Sequence, residues 1–353
     1  MIRNAHGNLL EAQADALVNT VNCVGHMGKG IALQFKQAYP ANYDAYRRAC
    51  DAGEVRPGRM FVYETGMMFG GPKYIINFPT KRHWRGASRP EDIRAGLTAL
   101  ISEVRDRKIK SIAVPPLGCG NGGLEWSIVR PMILKAFERV PDVEVLMFAP
   151  HGAPDPKAMP VHTAKPRMTV ARALFVKLME QYLTLAYRLT LLEIQKLAYF
   201  LQEAGEPLKL KYDEGHFGPY ATNLNKVLER VEGHLTRGYG DSQKPDVEIE
   251  LLPGATSEAD AFLTDQPGSN DRLARVAALI EGFETPYGME LLSSVHWVAR
   301  REESRATDAD SAIQQVHAWT ARKRGMFKAA HIRVAWQRLA EQGWLSAPDA
   351  VAP

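Results

Sequence analysis

Lys81 is the side chain of this sequence best placed by its neighbours to react. It stands where the apolar run of KYIINFPTKRHWR (73–85) gives out, after Phe78, Pro79 and Thr80, and is flanked by Arg82, His83 and Arg85. Most surface lysines only face water. Neighbouring cations, however, lower the pKa of an amine, and a neutral ε-amine near pH 7 is a nucleophile. A lysine that keeps its charge at the same point serves instead as a phosphate ligand.

Two glycine-rich loops supply a site for the other half of such chemistry. In VNTVNCVGHMGKGIALQFKQAYP (18–40) an apolar run passes through glycines 25, 28 and 30 into a helical pattern. Glycine lets the backbone approach a ligand closely, and the helix start offers free N–H groups with a positive dipole end. The spacing Gly25-x-x-Gly28-Lys29-Gly30 is neither a Walker motif nor GxGxxG, which excludes the common nucleotide fingerprints. One such loop is as easily a bare turn. A second, in SIAVPPLGCGNGGLEW (111–126), again stands between an apolar run and a helix, with glycines 118, 120, 122 and 123. Two loops of this kind facing each other across one end of a sheet suit a diphosphate with a sugar on each side.

The elements that must position these loops are legible over the first 150 residues. DALVNTV, RMFVYET, KYIINFP, SIAVPPL and VEVLMFA read as strands apolar on both faces. Helical patterns separate them, so a mainly parallel α/β sheet covered on both sides is expected, with ligands beyond the carboxyl ends of its strands. In SRPEDIRAGLTALISEVRDRK, Ser88 and Glu91 have a capping-box spacing, and Ile93, Leu97, Leu100, Ile101 and Val104 share a face. In EWSIVRPMILKAFERV, Ile128, Met132, Ile133, Ala136, Phe137 and Val140 are expected on one side. Residues 151–168 are rich in Pro and Ala and read as a linker. Residues 169–353 form a mostly helical second domain, with Gly218-Pro219 as a turn before a helix and VEIELLPG as a strand of a small sheet.

Bulk properties bound the function classes. The chain has 353 residues, 45% apolar and 24% charged, the length and composition of two ordinary soluble domains. A net charge of +4 fits a polyanionic partner without demanding one. Three cysteines (23, 50 and 119) make no disulfide framework and no zinc spacing. No run reaches the length of a membrane span, so no membrane partner and a cytoplasmic location are expected.

The segments GNLLEAQADALVNTVNCVGHMGKGIALQFKQAYP, INFPTKRHWRG and PPLGCGNGGLEW together resemble a macrodomain, the ADP-ribose-binding α/β module, and more narrowly the DarG antitoxins. The resemblance implies that residues 1–150 bind ADP-ribose and, with no metal or cofactor, remove it from single-stranded DNA bases, usually thymidine. The mark is written from NAD by the partner toxin DarT, so the reaction repairs DNA. Carried over by position, Asn8 and Leu9 contact the adenine side. Thr20, Val21 and Asn22 lie near the distal ribose. Gly30, Ile31, Ala32, Leu33 and Gln34 open the first helix at a phosphate. Gly118, Cys119, Gly120, Asn121 and Gly122 form the second loop on the diphosphate. Thr80 lines the site and Lys81 is the catalytic lysine. Relatives that act on proteins carry an aspartate at the position of Gly122, which leaves the proton-transfer partner open among Glu125, His83 and His26.

Two routes fit these residues: attack by neutral Lys81 on the anomeric carbon or opened-sugar aldehyde, and attack by water while protonated Lys81 stabilises the leaving base. Rival readings are hydrolysis of ADP-ribose from protein carboxylates and a non-catalytic ADP-ribose reader. The second half, through LTLLEIQKLAYFLQEAG and HFGPYATNLNKVLE, resembles the helical SocA-like (Panacea) antitoxin domains. That resemblance implies that it binds and blocks DarT. The charged-aromatic stretches HWVARRE and WTARKRGMF offer a competing reading, direct DNA contact through Arg, Lys and Trp.

Overall fold

The computed structural model describes residues 1–67, 70–150, 159–183, 189–240, 248–300 and 305–345. Two compact units divide the chain, the first running from Met1 to Lys165 and the second taking up the chain at Pro166.

Among the described residues of the first unit, six strands form one sheet in the order β1-β6-β5-β2-β4-β3. They are β1 (Ile2–Ala5), β2 (Ala16–Val21), β3 (Phe61–Glu64), β4 (Tyr74–Pro79), β5 (Ser111–Val114) and β6 (Glu144–Phe148). All neighbours are parallel except β3, which runs antiparallel to β4 at one edge. Strand side chains alternate between faces. Ala16, Val18, Ile76, Phe78, Ile112, Val114, Val145 and Met147 therefore pack under α3 (Pro90–Asp106) and α4 (Trp126–Phe137). Leu17, Ile75, Ala113, Leu146 and Phe148 pack against Phe35 and Ala38 of α1 (Gly30–Ala38). Burying each of the Val, Leu, Ile, Met and Phe side chains among them contributes about 1.5–3 kcal/mol, which makes the sheet the rigid part of the unit. The register sets Val21 of β2 beside Pro79 of β4, so Asn22 and Lys81 leave the sheet together at the carboxyl ends.

Several sequence expectations meet corrections here. The capping box of Ser88 and Glu91 does not form. Arg89 is the N-cap of α3, with no side-chain cap, and the Ser88 amide instead donates to Gly122 O at 2.9 Å. The side expected for α4 holds for Ile133, Phe137 and Val140, which are buried, and for Met132 and Ala136, which pack at the core's margin, but it fails at its first position. Val129 is buried in place of Ile128, which is exposed, because Val129 lies one turn before Ile133 on the buried face. Of the expected linker, residues 151–158 lie outside the described residues. Met159 is buried in the core on the α1 side, and His162 bonds Gln37 O and Ala38 O, so this part lies on the first unit. Strand β1, with the sequence IRNA, carried too short a pattern to be expected.

The second unit has its own core, gathered from α5 (Val170–Leu183) to α13 (Ala329–Glu341). Leu191, Ile194, Ala198 and Leu201 of α6 (Leu191–Glu203) are all buried, as their spacing predicts. Gly218-Pro219 is not a turn before a helix but the start of strand β8 (Gly218–Ala221), paired with β7 (Tyr212–Gly215). Of VEIELLPG, Glu250–Leu251 does form a short strand, paired with Thr236–Arg237. Most of the described residues of the charged-aromatic stretches turn inward, Arg324 staying exposed. Lys323 is fully buried between Glu290 and Ser294, Arg322 forks onto Glu290, and Trp297 and Trp319 pack on the core. With these cations and rings already engaged, the described residues give no support to direct DNA contact through them.

Candidate active site

Three loops meet beyond the carboxyl ends of β2, β4 and β5. The first, residues 22–29, is shaped by Asn22. Its Oδ1 accepts from the amides of Val24 (3.0 Å) and His26 (3.4 Å) and from the Tyr46 hydroxyl (3.2 Å), while its Nδ2 donates to His26 O. An asparagine can do this because its short amide mimics a backbone turn. Gly30 closes the loop at φ 59°, a left-handed conformation that favours glycine. No side chain caps α1 behind it.

Thr80 and Lys81 run beside this loop and are tied to it through main chain. The amides of Thr80 (2.9 Å) and Lys81 (3.4 Å) both donate to Val21 O, and the Cys23 amide donates to Arg82 O at 3.3 Å. The Cys23 thiol donates to Lys81 O. Lys81 is thus fixed by its backbone while its side chain reaches across to the second loop, where Nζ donates to Asn121 O. Burial pushes this half-buried amine below the usual lysine range. The flanking cations are not the cause, contrary to the sequence expectation. Arg82 is turned to Asp92 at 3.1 Å and Arg85 lies over the Trp84 ring.

The second loop presents Gly120, Asn121 and Gly122, whose amides meet no acceptor among the described residues. The neighbouring amides of Cys119, Gly123 and Leu124 are instead engaged within the loop and the segment leading into it. Successive free N–H groups of this kind form an anion nest. The loop also faces the first one: a Cβ at Gly30 would lie 3.4 Å from Asn121 Nδ2. At Gly122 a Cβ would fall 2.2 Å from Ser88 Oγ and 2.3 Å from Gly118 O, so the chain closes over the spot where a larger side chain would stand.

Of the other expected residues, Asn8 caps a short 3-10 turn, Leu9–Glu11, through Oδ1, and its buried Nδ2 has no partner among the described residues. Leu9, Val21 and Leu33 point into the core, and Ile31 and Ala32 pack at its margins, so each would meet a ligand through main chain. Gln34 and Thr20 are half-buried. Thr80 is buried, its hydroxyl 3.5 Å from Val21 O. The Cys119 thiol is pushed up to about 11 by burial and then by Glu125, and Cys23 also to about 11 by burial and then by Cys50. Both remain thiols near neutral pH. His26 and His83 both lie against Trp84, and Glu125 is the exposed N-cap of α4.

Sequence reasoning missed the supports of this site. Asn19, Asn42 and Asn77, all fully buried, join β2, β4 and helix α2 (Pro40–Asp51) through Asn19 Nδ2–Asn77 Oδ1 (3.0 Å) and Asn77 Nδ2–Asn42 Oδ1 (2.8 Å). Ser88 lies under the second loop, its buried hydroxyl without a partner among the described residues. Nothing in the local pattern marks the asparagines, and for Ser88 it points to a helix cap instead.

Residues 18–133 match the Macro domain family. A DNA ADP-ribosyl glycohydrolase of Thermus aquaticus is 48% identical over 98% of this chain and 94% of its own length. The chain belongs to the DNA ADP-ribosyl glycohydrolase family. As a DNA ADP-ribosyl glycohydrolase family member it is a hydrolase built on a macrodomain. A DNA ADP-ribosyl transferase–DNA ADP-ribosyl glycohydrolase fusion protein of Thermosipho africanus is 34% identical over 41% of this chain and 40% of that one. Among solved structures, the macrodomain of Mycobacterium tuberculosis DarG is 55% identical, covering 42% of this chain and 98% of that one, with a TM-score of 0.42.

Proposed function

We propose that this chain is an antitoxin that hydrolyses the N-glycosidic bond between ADP-ribose and a base of single-stranded DNA, thymidine above all, and that its second unit binds the toxin DarT. The observation that carries the catalytic part is the half-buried Lys81 amine, tied by its backbone to the first loop and reaching the second. In this reading the amides of Gly120, Asn121 and Gly122, with those at the start of α1 after Gly30, whose own amide donates to Gly240 O, hold the pyrophosphate. That remote binding energy fixes the distal ribose at Lys81.

The neutral amine then attacks C1″. A nitrogen–carbon bond forms as the bond from C1″ to the base breaks, and the base leaves with a proton. Water hydrolyses the adduct and returns the free amine and ADP-ribose. The family relatives support DNA as the substrate, and so does Gly122, where protein-directed relatives carry an acid. The fusion of transferase and glycohydrolase in one relative supports a working partnership with DarT.

The test incubates ADP-ribosylated single-stranded DNA with the wild-type chain and Lys81→Ala. Release by the wild type, with binding but a fall in rate of at least about a thousand-fold in the variant, is expected. Equal release by both removes Lys81 from the chemistry, and binding without release by the wild type leaves a reader. A faster rate on modified protein carboxylates retires the DNA assignment. Co-expressing the full-length Lys81→Ala chain with DarT tests the second unit: growth should persist although the mark cannot be erased, and cell death would end that part of the reading.

A further inference from the structure

Immediately after Lys81 the chain turns out into solvent, and what it displays there has no use in the reaction just described. Arg82 to Arg85 are exposed, and Trp84 keeps 36% of its surface open. The Arg85 guanidinium lies 4.5 Å from the indole centroid, His83 at 5.3 Å and His26, from the first loop, at 5.7 Å. The turn is pinned. Gly86 donates to His83 O, the Arg85 amide bonds His83 Nδ1 at 3.2 Å, and Arg82 is anchored on Asp92. On the first loop, which brings His26 to this ring, Val24 is 48% exposed. The two segments carry Lys29, Lys81, Arg82, Arg85 and Arg89 and no carboxylate.

An indole held open to water beside a guanidinium, in a stretch of one charge sign, has the chemistry of a stacking platform for single-stranded nucleic acid. Bases of any kind stack on an aromatic face, and arginine meets the adjoining phosphate. We propose that Trp84, backed by Arg85, receives a base of the strand next to the modified nucleotide, and so directs the hydrolase to ADP-ribose on a polynucleotide rather than on an isolated nucleoside. This rests on the DNA reading above and adds a residue that decides substrate length.

The experiment compares kcat/KM on an ADP-ribosylated single-stranded oligonucleotide and on ADP-ribosyl-thymidine for the full-length wild type, Trp84→Ala, Trp84→Phe and Arg85→Gln. A fall of about ten-fold on the oligonucleotide with Trp84→Ala, within about two-fold of wild type on the nucleoside, is expected from the loss of one stack. Trp84→Phe should keep most of the rate, which separates stacking from folding. Arg85→Gln should make log kcat/KM shallower against log salt by about 0.7, the signature of one phosphate contact on a single strand. Equal losses on both substrates, or none on the oligonucleotide, would overturn the platform.

Binding of an unmodified oligonucleotide, followed by fluorescence anisotropy, separates this proposal from the one it rests on. If the wild type releases nothing from either substrate, the catalytic reading fails. The platform then stands on about ten-fold weaker oligonucleotide binding by Trp84→Ala, and falls if binding is unchanged.

Discussion

Lys81 and Gly122 carry opposite lessons about what one position can do. Lys81 was legible because its type and its point of exit from a strand are both written in sequence. The cause of its lowered pKa was not, because burial is made by other segments. Since burial disfavours the ammonium, the neutral amine appears at lower pH than for a free lysine. The rate should therefore rise with pH and level off below the usual lysine range if Lys81 is the nucleophile. A rate that falls over that interval would assign it to the protonated, base-stabilising role. A pH profile of kcat/KM on the oligonucleotide decides between them. Gly122 is fixed by shape. Of the atoms a Cβ would strike, Ser88 Oγ can move but Gly118 O and its carbonyl carbon are backbone. Gly122→Ala should cost about 1–3 kcal/mol in stability and weaken ADP-ribose binding, read by thermal melting and calorimetry. Gly122→Asp should likewise lose activity rather than restore an acid. Adding Ser88→Gly should recover only part, since the clash with the Gly118 backbone remains.

Elements were read where their burial is continuous and misread where neighbours choose. Strands β2, β4, β5 and β6 were visible as apolar runs because both of their faces are covered. The buried side of α4 was legible except at its first turn, where the sheet takes Val129 rather than Ile128. The serine expected to cap α3 was drawn instead to the second loop. Least legible was the asparagine network, whose members are separated by 23 positions or more and follow no period. Its place explains its worth. Asn77 accepts from Asn19, donates to Asn42 and to Phe61 O (3.2 Å), and lies on the strand that leads into Thr80 and Lys81. Asn77→Leu would strand the Asn19 and Asn42 amides in the core, at about 2–4 kcal/mol. It should lower the denaturant midpoint, and it should reduce kcat/KM more than Asn225→Ala, a change in the second unit far from these loops in sequence. Equal effects would show that the network supports stability alone.

Each unit having its own core means that the chain can respond to acid unevenly, and His296 shows where. It is fully buried in the second unit, its Nδ1 on the Tyr199 hydroxyl at 2.8 Å, among Phe200 and Trp344. Burial, and then Arg300, push it down to about 3. An unfolded chain has no such environment, so its histidine takes a proton near pH 6.5. Between those two values the unfolded state binds a proton that the folded state refuses. The stability is whole above about pH 6.5 and is lost as pH falls toward 3. From pH 7 to pH 5 the loss from this one group is about 2 kcal/mol. Tryptophan fluorescence favours the measurement, since Trp297, Trp319, Trp336 and Trp344 report the second unit while Trp84 and Trp126 belong to the first. Urea unfolding of the full chain at the two pH values should show the fluorescence midpoint falling with acid. His296→Gln, which can still pair with Tyr199 but cannot be protonated, should flatten that fall while lowering the midpoint at pH 7. If both chains lose stability alike between pH 7 and pH 5, the acid response belongs to other groups.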